Sequence, residues 1–233
     1  IGSYALDATD TNAQTGTIAI GHQALTAITS GSGNIAIGYQ AGDSMTDNTN
    51  NVAIGSNALG VCESGGINNT AVGTSAGAAL TTADGNVAVG YQASDAVTTG
   101  GYNTAMGYLA LSAETDGSYN TALGYRAMLA SDGATQNVAV GNDAGNSITD
   151  GHYNVCIGAE AGNAVTSGDK NVLIGRHADV DAATDNGATR LGYYGAIKYV
   201  TNRITCTAAH DGDNTVVVEV CKIPALSIIH SVS

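Results

Sequence analysis

The stretch GNIAIGYQAG at residues 33–42 is apolar, punctuated by glycine and opened by asparagine, and nearly the same phrase returns as NNVAIGSNALG (50–60), GNVAVGYQAS (85–94) and KNVLIGRHAD (170–179). Aligned on its central glycine, the phrase recurs at Gly2, Gly21, Gly38, Gly55, Gly73, Gly90, Gly107, Gly124, Gly141, Gly158, Gly175 and Gly192. Nine of the eleven intervals are 17 residues, one is 18 and the first is 19. Ten copies, from Gly21 to Gly175, are complete: Asn stands four residues before the glycine in nine of them, with Thr17 the exception, and Ala stands three residues after it in all ten. Such fixed spacing is the mark of a stacked repeat architecture.

A β-branched phrase this short cannot make a helix, and a 17-residue copy leaves no room for a strand plus a crossover helix. One turn of a parallel β-solenoid fits. Each copy is expected to give a short strand (34–37), a glycine corner, a second short strand (39–41) and a polar loop back to the next rung. About 11 rungs at the ~4.8 Å strand spacing make a stack roughly 50 Å tall. Within the strand, Ile35 and Ile37 face one side while Asn34 and Ala36 face the other. Both sides are largely apolar, and a thin roll covers only one of them with its own chain. A neighbouring chain is therefore expected on the other. The small column Ala36, Ala53, Ala71, Ala88, Ala105, Ala122 and Ala139, continued at Ala19, is assigned to close packing of rungs and chains about a symmetry axis. The Asn column is expected to form an amide ladder that satisfies backbone groups.

Composition agrees with a thin fold. Of 233 residues, 32 are Gly, one is Pro and none is Phe or Trp. A core of Ala, Val, Ile and Leu cannot fill a wide interior. The net charge of −13 opposes binding to nucleic acid or insertion into anionic lipid, since phosphate binding needs cations to replace counterions. There is no run of eighteen apolar residues to span a bilayer as a helix. The chain opens at Ile1 without a methionine or signal-like stretch, which reads as a fragment of a longer protein. Cys62 and Cys156 lie far apart at no zinc spacing and are expected as free thiols, while Cys206 and Cys221 flank an Asp-Gly turn where a hairpin disulfide is one option. Free thiols fit assembly in a reducing compartment better than passage through an oxidising one.

NVAIGSNAL (51–59) resembles the head repeat of the YadA-like trimeric autotransporter adhesins, a repeat also found in bacteriophage fibres. The resemblance covers residues 1 to about 179. It implies a left-handed parallel β-roll, a homotrimer and a host-attachment role. Two departures matter: the loops are longer than in the usual head, and no heptad stalk or membrane-anchor strands follow. The expected organisation is a repeat domain over 1–195, closed by the weak copy TRLGYYG (189–195), and a distinct β-structured segment over 196–233. In that segment strands are expected near 197–201, 203–208, 215–222 and 226–231, with HDGDN as a turn and more chain or another subunit completing the sheet.

No catalytic, cofactor or metal motif is readable. The five histidines sit in dissimilar positions, and the loop aspartates, as in AGDSMTDNTN, ETDGSYN and SITDGHYN, read first as turn formers; neither EF-hand nor nonapeptide calcium spacing is present. Tyr39, Tyr91, Tyr108 and Tyr125 each follow a corner glycine, either stacking along the rungs or contacting a receptor or glycan. The expected function is a non-enzymatic structural fibre on a virion surface, acting as trimeric spacer and attachment surface. Its partners would be its own copies, other virion proteins and a host cell-surface receptor. The alternative is the head of a bacterial surface adhesin.

Overall fold

The computed structural model describes residues 2–8, 15–62 and 65–193. Of the two units into which the chain divides, Ile1–Val200 and Thr201–Ser233, the first holds every described residue. The strands expected within 197–231, the HDGDN turn and the Cys206/Cys221 pair lie outside the described residues.

The repeat unit is an all-β parallel solenoid. Eleven three-residue strands, from β1 (Ile18–Ile20) and β2 (Ile35–Ile37) to β11 (Thr189–Leu191), form one sheet in sequential order. Register is residue for residue: Ile35 faces Val52, Ala36 faces Ala53 and Ile37 faces Ile54. The single 18-residue interval falls between β3 (Val52–Ile54) and β4 (Thr70–Val72), and Val52 still pairs with Thr70. The extra residue is taken up outside the strands, so every side chain keeps its face.

Each rung contributes one strand, not two. The segment expected as a second strand, 39–41, is a run of turns. Its backbone alternates handedness, with Gln40 at φ 53° and Gly42 at φ 59°, and Ala41 N donates back to Gly38 O at 3.5 Å. Rungs remain bonded here without a pleated ladder, Gln40 N donating to His22 O at 2.9 Å and Gly42 N to Ala58 O at 2.9 Å. The corner glycines stack directly: Gly90 has φ 136°, and a Cβ there would lie 2.7 Å from the carbonyl carbon of Gly107. Both the conformation and the close backbone approach demand glycine.

The interior is thin, as the composition implies. The alanine column from Ala36 to Ala139 is fully buried within the single chain, facing the Ala that follows each corner and a file of larger groups that includes Ile28, Met45, Leu80, Val97 and Ile148. This corrects the assignment of the alanines to a contact between chains. They pack the roll's own inside, and at two described levels Cys156 and Leu173 take the same buried place. The side left to the outside is the β-branched one.

The Asn column forms the expected ladder. All nine asparagines, Asn34 to Asn171, are buried. Asn69 shows the pattern: its Oδ1 accepts from the backbone N–H of Asn86 at 2.9 Å, and its Nδ2 donates to Ala83 O in the returning loop at 2.7 Å. One amide thus ties the strand start to the next rung and to its own loop, satisfying buried backbone groups that the strands do not reach. Where Thr17 replaces Asn, its Oγ1 is buried without a partner.

Candidate functional site

Three surfaces stand out, each a product of stacking identical positions. The first is the outer face of the sheet. The first and third residues of every strand point away from the interior, giving one file that includes Ile35, Val52 and Val87 and another that includes Ile37, Ile54 and Val89. They are half-buried to exposed, reaching 46% at Ile20 and 45% at Met106. Three-residue strands are roughly 10 Å across, so eleven rungs present roughly 500 Å² of flat apolar surface. That is at the upper end of the largest apolar patch on an ordinary monomer, and such patches mark interaction sites.

The second surface is aromatic. Tyr91, Tyr108 and Tyr125 form a continuous stack, with ring centroids 5.3 Å apart at both steps and planes within 12° and 8° of parallel. Tyr39 stacks instead on His22 at 5.5 Å. A second column joins Tyr102 to Tyr119 at 5.3 Å. In the rung of β6 (Thr104–Met106), Tyr102 precedes the strand by two residues and Tyr108 follows it by two, so the aromatic columns border the apolar strand segment on both sides. All of these rings are about half exposed. The rung spacing matches the distance at which rings stack offset, which is why one tyrosine per copy becomes a ladder.

The third is a carboxylate group in the loops after β6 and β7 (Thr121–Leu123). Glu114, Asp116 and Asp132 each place one oxygen within 4.8 Å of the others. Glu114 is fully buried, and burial, reinforced by Asp116, raises its pKa above the ordinary carboxylate range against the lowering effect of three backbone N–H donors.

Other titratable residues are scattered. His22 lies 3.1 Å from Ser3 O, His152 bonds to Thr135 and His177 pairs with Glu160 at 3.1 Å, each on a different rung. Cys62 and Cys156 are free and buried. Burial pushes both thiols up to about 12, helped by Asp84 and Asp47 at Cys62 and by Asp179 at Cys156. At neutral pH they are inert hydrophobes rather than nucleophiles.

Reading the sequence alone placed the tyrosines and the alanines in columns but gave the uncovered face to the alanines, and passed over Glu114. The signal for Glu114 was available: it occupies the interior file of Ile28, Met45, Cys62, Leu80 and Val97, one period beyond Val97. Comparison with known proteins finds no matching family model, no matching curated protein and no matching solved structure.

Proposed function

We propose that this chain is the repeat segment of a trimeric virion attachment fibre, a rigid spacer that also presents recognition surface to a host cell. The observation that carries the reading is the outer face of the sheet: two files of Val, Ile, Leu, Met and Thr running over eleven rungs and left half-buried to exposed among the described residues. Three copies arranged about an axis would each shield the others' apolar face and close the hydrophobic surface without an open end. The likeness of the Asn-x-Ala-Ile-Gly copies to the heads of YadA-like adhesins and to phage fibres supports the same arrangement. The buried free thiols favour assembly in a reducing cytosol, hence a virion rather than an exported bacterial adhesin.

In this reading the stacked Tyr91, Tyr108 and Tyr125, together with Tyr39, supply ring faces and hydroxyl tips to a glycan or receptor. Threefold presentation then converts weak single contacts into firm attachment.

The direct test is the native mass of the purified chain and of Val89→Lys, which puts a charge in the middle of the apolar face. A trimer for the parent and a folded, smaller species for the variant are the expected results. A stable folded monomer for the parent would overturn the proposal. Antibody labelling then separates the two settings: decoration of phage particles supports the virion reading, and decoration of intact bacterial cells the adhesin reading.

A further inference from the structure

The interior file opposite the strands is apolar except at two successive positions. Along it, at 17-residue steps, stand Val97, Glu114, Ser131 and Ile148, all fully buried. Glu114 Oε1 is saturated, accepting from the backbone N–H groups of Thr115 at 3.1 Å, Gly117 at 2.6 Å and Gly133 at 2.8 Å. Its second oxygen, Oε2, is buried with no partner, and so is Ser131 Oγ on the next rung. An ionised carboxylate oxygen held out of water without a donor is costly, and natural structures rarely leave one so.

The neighbouring threonine file is broken at the same place. Thr81 and Thr98 each donate a hydroxyl hydrogen bond to the carbonyl one rung on, at 3.1 and 3.0 Å. At the next step Asp132 replaces threonine, and Thr115 Oγ1 donates to Asp132 Oδ1 at 2.6 Å. Gly117 makes room for the glutamate: a Cβ there would lie 2.6 Å from Glu114 Oε1. The result is three carboxylates whose oxygens lie within 4.8 Å of one another, one buried and two exposed. No Lys, Arg or His pairs with any of the three among the described residues.

The geometry points to a calcium site between the loops after β6 and β7, held by Glu114, Asp116 and Asp132. A divalent cation bound here would neutralise most of the local repulsion, and a bidentate Glu114 carboxylate would bring the orphaned oxygen onto the ion as well. The donors are all hard oxygens, which select Ca²⁺ or Mg²⁺ over zinc. Mg²⁺ demands near-ideal octahedral geometry and dehydrates reluctantly, whereas Ca²⁺ accepts an irregular shell of carboxylates and water such as these loops offer. Asp116 and Asp132 face solvent, so water completes the coordination shell. The site would clamp two successive loops at the two levels where the apolar file is interrupted. This inference does not depend on the fibre reading.

The test is calorimetric titration of Ca²⁺ and, separately, Mg²⁺ into the chelator-treated full chain at matched ionic strength, with melting temperature as a second readout. One Ca²⁺ per chain is expected, with Kd on the order of 10⁻⁴ to 10⁻³ M as in few-ligand extracellular sites, and weaker binding of Mg²⁺. The double variant Asp116→Asn/Asp132→Asn changes only exposed side chains and should weaken Ca²⁺ at least tenfold while still folding. Glu114→Gln should abolish binding; if it does not fold, the double variant decides. Absence of Ca²⁺ binding, or a Ca²⁺ effect equalled by Mg²⁺ and unchanged in the double variant, would overturn the site and leave Glu114 as a buried neutral acid.

Discussion

Replacing Asn69 by alanine tests the ladder at a position where its bonds can be counted. The substitution removes the acceptor of the Asn86 backbone N–H, at 2.9 Å, and the donor to Ala83 O, at 2.7 Å, as well as a 3.3 Å bond from Asn86 Nδ2, which keeps Gly100 O as a partner. Asn86 and Ala83 are both buried, so water does not replace what is lost. Each stranded group costs about 1–3 kcal/mol, which puts Asn69→Ala at about 2–6 kcal/mol. The opposite change is already set up at the first copy. Thr17 carries an unpartnered hydroxyl where the other copies carry Asn, and an amide there would accept from Asn34 N and reach Gly31 O by the geometry of the later rungs. Thr17→Asn should therefore stabilise, by about 1 kcal/mol or a little more. Denaturant unfolding at one fixed chain concentration gives both numbers, the fixed concentration removing any contribution of mass action. Repeat proteins unfold in parts, so exchange of the Asn86 amide hydrogen should be followed alongside; it is expected to accelerate in Asn69→Ala. An Asn69→Ala variant within about 0.5 kcal/mol of the parent, with Asn86 still protected, would refute the reasoning.

Other outcomes follow from the same contacts. Gly90→Ala must place a methyl against the Gly107 carbonyl at φ 136°, and should cost more than about 3 kcal/mol or prevent folding, read by denaturant midpoint. Cys62 and Cys156 should react with a thiol reagent at pH 8 at least about a hundredfold more slowly in the folded chain than in denaturant, since burial holds both thiols protonated. Their folded values are raised to about 12 from 9.0, so their contribution to stability is complete below pH 9 and is lost as pH rises towards 12; a Cys62→Ala/Cys156→Ala variant should lose stability less steeply across that window. Tyr108→Ala breaks the stack between Tyr91 and Tyr125 and should cost about 1–2 kcal/mol while leaving the native mass unchanged, and cell attachment measured with the same variant reports on the aromatic surface separately.

The solenoid was legible because its geometric requirements are written into each copy. Only glycine fits the stacked corner, and only an amide supplies both halves of the staple, so Gly90 and Asn86 announce the rung before any contact is known. What stayed hidden has physical reasons. Gln40 sits at positive φ, as do Leu111 and Met128, and none of these residue types advertises that conformation. The run 39–41 therefore reads as strand. Alternation in Ile35-Ala36-Ile37 says that two faces exist, but not which one is inside. Residue volume decides it: the narrow interior behind the strand is filled by alanine at most levels, with Cys156 and Leu173 as exceptions, and the larger β-branched side chains go outward. Glu114 is masked in the sequence by the Asp-Gly turn of ETDGSYN beside it, although it stands in the interior file between Val97 and Ile148, where it is the charged exception.

The residue-for-residue registry across the 18-residue copy has a bearing on how such a chain changes over time. Because asparagine and glycine lock nearly every level to the next, loop length can change by a residue without flipping any side chain, as the Val52 to Thr70 step demonstrates. Nothing in one level limits how many more can be added. Duplication or deletion of whole units by recombination between near-identical gene segments would alter reach in increments of about 4.8 Å, leaving the cross-section untouched. Reach and outer decoration are thus heritable quantities that selection can adjust independently.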